Sequence, residues 1–139
     1  MPSASRFQRA SLWLPPIAYM ALIFFFSSQP DPVPTLTENF WDKGLHFVGY
    51  AGLAFLFCRT FAGERLAFTV VLACAFVASS AYGATDEWHQ SFTPGRSSSV
   101  LDWVADTVGA GLGVVVYLIW VRVIRAGLKT CTTLDSPPQ

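Results

Sequence analysis

Apolar and polar positions fall in long blocks along this chain, with no short period. Four blocks are almost wholly apolar, at residues 11–27, 45–61, 66–85 and 103–121. Each is close to the ~20 residues that a helix needs to cross a bilayer. In lipid, backbone polar groups must be satisfied within the segment, which favours helix. Trp13, Trp41, Trp88, Trp103 and Trp120 all fall at block ends, where an amphipathic ring prefers the headgroup level. The expected fold class is all-α, an integral membrane bundle of four transmembrane helices.

The connections between blocks differ in charge. Arg6 and Arg9 precede the first span, Arg59 and Arg65 lie between the second and third, and Arg122, Arg125 and Lys129 follow the fourth. The other two connections hold Lys43 and Arg96 alone of the basic residues. By the positive-inside rule both termini are expected in the cytoplasm, with the first and third connections on the outer side. No A-x-A-like cleavage site follows Phe26, so the first span is expected to stay as a helix. The short connection at 62–65 makes the second and third helices antiparallel neighbours, so their outer ends lie close together. Residues 1–10 and the tail 126–139, which ends Asp-Ser-Pro-Pro-Gln, are expected to be unstructured. The four-helix domain is thus expected over 11–125.

Composition agrees with a membrane setting: 53% of residues are hydrophobic and 13% charged, against about a quarter charged in soluble domains. The formal net charge is zero, and no basic stripe points to nucleic acid as a partner. Cys58, Cys74 and Cys131 are odd in number and form no C-x-x-C pair, and read as small hydrophobes.

Against this background one region is rich in ionisable chemistry. On the second helix Asp42, Lys43, His46 and Tyr50 stand at spacings of three and four, which share one helix face. The third helix ends with Ser79, Tyr82, Asp86 and Gln90, flanked by Glu87 and His89; His89 reads as a solvated loop residue. The fourth opens after Pro94-Gly95 and a Ser99-x-x-Asp102 capping box, with Asp106, Gly109 and Gly113 on one face. Three polar faces therefore converge at the outer end of the bundle. Asp86 and Glu87 lie at a helix C-terminus and Lys43 at an N-terminus, both against the dipole. Lys43 and Arg96 are expected to neutralise the acidic group. Asp106, inside the span, is expected to face the interior and be paired or protonated. Gly109 and Gly113 read as a small-xxx-small packing stripe.

The order Asp42-Lys43-x-x-His46-x-x-x-Tyr50, then Asp86-Glu87-x-x-Gln90-x-Phe92-x-Pro94-Gly95-Arg96, then Asp102 and Gly109-x-x-x-Gly113 resembles the VanZ-like family of small bacterial membrane proteins. The resemblance spans about residues 27–115. It implies a multi-pass protein of the bacterial cytoplasmic (inner) membrane and an association with low-level resistance to the glycopeptide teicoplanin. One position departs: the family commonly has Asn where this chain has Asp106.

Two function classes follow. In the first, the outer site recognises or turns over a cell-envelope or lipid-linked component, such as an anionic lipid or envelope precursor. Lys43, His46 and Glu87 are then the catalytic candidates, and Asp42, Tyr50, Asp86, Gln90, Arg96, Asp102 and Asp106 the binding residues. Arg96 would hold an anionic headgroup, and His46 or Glu87 would move protons. There is no H-E-x-x-H, G-x-S-x-G or P-loop, so binding and turnover both stay open. In the second class the cluster is a structural network or a partner-docking surface of a non-catalytic protein. Asp42, His46, Asp86, Glu87, His89 and Asp102 include enough nitrogen and oxygen donors for a divalent ion, but Lys43 and Arg96 already supply positive charge, so no metal is expected; nor is any cofactor. The sequence sets no oligomeric state.

Overall fold

A computed structural model describes residues 6–30 and 42–134, and consists there of four helices. They are α1 (Arg6–Ser27), α2 (Asp42–Gly63), α3 (Phe68–Gln90) and α4 (Val100–Leu134). All four are long and apolar enough to cross a membrane, over Arg9–Ser27, Lys43–Gly63, Phe68–Gln90 and Val100–Gly127. The chain is a multi-pass membrane protein.

The helices outrun the apolar blocks. α3 continues through Asp86 and Glu87 to Gln90, α2 begins at Asp42, and α4 runs on to Leu134. α1 likewise starts at Arg6, inside the segment expected to lack structure, as does the part of α4 beyond Arg125. Hydropathy marks where lipid is met, whereas a helix ends where its backbone bonds end. No proline falls between Arg125 and Leu134 to stop it.

α2 is the centre of the bundle. It packs most extensively on α4, then on α3 and α1. The α2–α4 contact is made by backbone: a methyl added at Gly109 would run into the Phe47 carbonyl, and one at Gly113 into the Ala51 carbonyl. Small residues let helices approach this closely in lipid, where no hydrophobic drive pushes them together. The core around α2 comprises Tyr50, Leu53, Phe57 and Cys58, with Val71 and Ala75 from α3 and Tyr117 from α4.

α1 is held by fewer, more polar ties. Pro16 has no N–H, so the carbonyl of Leu12 loses its helical partner. Thr60 of α2 supplies the replacement, its hydroxyl donating to Leu12 O at 2.8 Å. Tyr82 of α3 donates to Met20 O at 2.8 Å. Trp13 donates to Glu64 Oε1 at 3.0 Å, and Arg9 faces the other oxygen of that carboxylate at 3.5 Å. The Arg9–Glu64 pair lies at the bundle end opposite the acidic residues.

Thr60→Val removes the donor and leaves the part-buried Leu12 carbonyl without it, which costs about 1–3 kcal/mol. In a Pro16→Ala background, residue 16 regains its N–H and the same change is expected to cost less. Thermal melting of the two singles and the double in detergent measures that coupling.

Candidate functional site

The polar end of the bundle is built by the start of α2, the end of α3 and the start of α4. Because Gly109 lets α4 sit on α2 at Phe47, Asp106, one turn earlier, arrives opposite His46. The imidazole Nδ1–H donates to Asp106 Oδ1 at 2.9 Å. Asp106 is fully buried and His46 is 9% exposed. On its other side the Asp106 carboxylate rests on α3 at Gly83, where an added Cβ would stand 2.7 Å from Oδ2. Asp106 thus faces the interior and is paired, with a histidine as its partner.

Glu87 approaches the same imidazole, with Oε1 3.8 Å from Nδ1. Its other oxygen, Oε2, accepts from the backbone N–H of Ser99 at 2.8 Å. A carboxylate at the C-terminus of α3 is thereby placed at the positive end of α4, which reverses its unfavourable dipole position. The capping box is rearranged as a result. Ser99 caps α4 through its own Oγ, which accepts from Leu101 N at 3.2 Å. The acid that takes the Ser99 N–H is Glu87 rather than Asp102.

Asp102 is buried and meets Lys43, with Nζ 3.1 Å from Oδ1. Lys43 therefore neutralises one acid of the cluster, and the imidazole of His46 stands between two others. Asp86 is buried next to Glu87, and Gln90 donates to its Oδ2 at 3.3 Å. Tyr50 is buried one turn below His46 with the two rings parallel, their centroids 6.4 Å apart. The side chain of Asp42 lies outside the described residues.

Arg96 lines a cavity of about 660 Å³ between α1, α2 and the end of α3. One wall is apolar, made by Leu22, Ile23 and Phe26 of α1 and Leu45 of α2. The other is polar, made by His46, Asp86, Gln90 and Arg96. The loop carrying Arg96 turns through Gly95 at φ +82°, a left-handed conformation that glycine adopts without strain.

Sequence spacing found most of these side chains and missed others. Gly83, the seat of Asp106, carries a weak signal: it stands four after Ser79 and three before Asp86. His89 is a correction. It lies in the last turn of α3, within hydrogen-bond distance of Ser28 Oγ at 3.1 Å, and its ring packs on Phe24. It ties α1 to α3, because the α1 end folds over that turn.

A family model described as VanZ/LLP1 matches residues 12–121. The chain belongs to the VanZ/LLP1 family. The match covers all of the polar end and the cavity, together with most of the four spans. No curated protein and no solved structure matches the chain.

His46 is the shared neighbour of two buried acids, so its loss exposes their mutual repulsion. His46→Ala is expected to destabilise this VanZ/LLP1 protein by about 3–5 kcal/mol, the cost of breaking a buried pair from one side. Asp106→Asn, which removes charge and keeps shape, is expected to recover part of that loss in the double variant. Melting of the singles and the double reads the coupling.

Proposed function

We propose that this VanZ/LLP1 protein recognises an anionic, lipid-linked component of the cell envelope at the outer face of the bacterial cytoplasmic membrane. The observation that carries the reading is the two-sided cavity between α1, α2 and α3. Its volume of about 660 Å³ falls within the ~300–1,000 Å³ of small-ligand sites. Leu22, Ile23, Phe26 and Leu45 suit the first carbons of a lipid chain. Arg96 suits a phosphate or carboxylate, since its guanidinium matches either with two parallel hydrogen bonds.

Charge along the chain supports the outward orientation, because seven of the nine basic residues belong to the termini and the α2–α3 connection. Lys43, His46 and Glu87 border the polar wall as groups able to move protons if recognition is followed by turnover. The family's association with teicoplanin resistance fits an envelope precursor as the ligand. The alternative, a purely structural network, draws on the ties His46–Asp106 and Glu87–Ser99 across three helices. It gives the cavity no role.

Native mass spectrometry of protein extracted in mild detergent tests the reading. Wild type is expected to retain an anionic lipid. Arg96→Ala is expected to weaken retention about tenfold, the loss of one charge-assisted pair. Gly49→Phe should act through shape, since Gly49 lines the cavity and a Cβ there meets nothing within 4 Å. Wild type that carries no lipid above the detergent background, or two variants that carry as much as wild type, would defeat it.

A further inference from the structure

We infer that His46, Glu87 and Asp106 form a binding site for one first-row divalent cation, of the class of Zn²⁺ or Mn²⁺. One donor atom from each of the three lies within 4.8 Å of the others, and all three residues are buried. They come from three different helices, so the site exists only in the assembled bundle.

Spacing fits coordination. Donors about 2.1 Å from a metal are about 3 Å apart at right angles and about 3.4 Å apart at the tetrahedral angle. Nδ1 of His46 and Oδ1 of Asp106 are 2.9 Å apart, and Nδ1 and Glu87 Oε1 3.8 Å. An ion would take the place of the Nδ1 proton, and the neutral imidazole would keep its proton on Nε2.

A second observation points to a ligand. Among the described residues Glu87 Oε1 has no hydrogen-bond partner, its side chain is only 9% exposed, and it is the carboxylate oxygen facing His46. Glu87 Oε2 is already fixed by the Ser99 N–H, so the carboxylate is oriented from behind and offers the remaining oxygen forward. Asp106 is oriented likewise by its seat on Gly83. Supports of this kind accompany metal ligands and set their geometry.

Charge leads to the same place. Lys43 answers Asp102, so Glu87 and Asp106 share one imidazole, which carries at most one positive charge. Two buried carboxylates match one divalent ion. Positive charge from Lys43 would make a metal less necessary, but in the fold Lys43 is spent on Asp102. Mixed imidazole and carboxylate donors favour a first-row ion, which one nitrogen and two oxygens suit better than they suit Ca²⁺. Three protein ligands leave positions for water or an oxygen from the cavity, which His46 also lines.

The test is metal content and affinity of the full-length protein in detergent. After treatment with EDTA and removal of the chelator, Zn²⁺ or Mn²⁺ alone is titrated back, followed by calorimetry and by elemental mass spectrometry after desalting. Wild type is expected to hold about one ion per chain and to melt at higher temperature with it. Glu87→Gln and His46→Ala are expected to bind roughly tenfold more weakly or worse. His89→Ala, which changes the other histidine at this end, keeps the ion. Folded wild type that binds neither ion stoichiometrically, or Glu87→Gln that binds as tightly as wild type, overturns the site. If His46→Ala fails to fold, Glu87→Gln and the metal-dependent melting of wild type still decide. The proposal stands apart from lipid recognition: Gly49→Phe that loses lipid and keeps the ion leaves both readings in place, and a wild type with an ion and no lipid removes the lipid reading alone.

Discussion

Only hydrogen fits on α4 at Gly109 and Gly113, where the carbonyls of Phe47 and Ala51 stand in the way of any larger group. That backbone approach sets the register of α4 against α2, and with it the pairing of His46 with Asp106 and of Lys43 with Asp102. His46 precedes Phe47 by one residue and Asp106 precedes Gly109 by three, so the glycine contact fixes their meeting. Lys43 and Asp102 meet one turn farther out for the same reason. The acid–imidazole group is in this sense a by-product of how closely two helices approach. Its partners on α3 then close it from the third side, with Gly83 under Asp106 and Glu87 reaching across to Ser99.

The existence of four spans was legible because twenty apolar residues in a row have few alternatives. Their ends were less so. Hydropathy alone stops short of Asp86 and Glu87, and only helical spacing keeps them on α3, which runs to Gln90. The faces carrying Lys43, His46, Tyr50, Asp86, Asp102 and Asp106 were legible from spacings of three and four, since helical periodicity is local. Who pairs with whom was not. Lys43 answers Asp102, His46 serves Asp106 and stands near Glu87, and Arg96 lines the cavity together with Asp86. Such choices depend on register between helices distant in sequence, and a single helix face carries no information about it. The role of Gly83 was hidden for a related reason: a glycine reveals itself by what approaches it.

The two ends of the bundle use polar groups differently. At the polar end, buried acids meet an imidazole, a lysine and a helix N-terminus. At the opposite end, Glu64 meets Trp13 and Arg9 near the surface, an arrangement of the exposed kind that contributes little stability. Between them α1 is fastened to α2 and α3 through backbone carbonyls, at Leu12 and Met20. Among the described residues it makes no packing contact with α4. It is the helix that forms the apolar wall of the cavity, and the one whose departure from the others would change the cavity most.

Surface loops normally accept added or missing residues at small cost, since closure entropy grows slowly with length. The segment from Ser91 to Ser99 has less of that freedom. Glu87, still in α3, grips the amide of Ser99 at the mouth of α4, twelve residues away along the chain. The connection is thereby clamped at both ends: a deletion that shortens it too far pulls on the Glu87–Ser99 grip before it disturbs either helix, so the shortest length the loop tolerates is set by a carboxylate rather than by the loop itself.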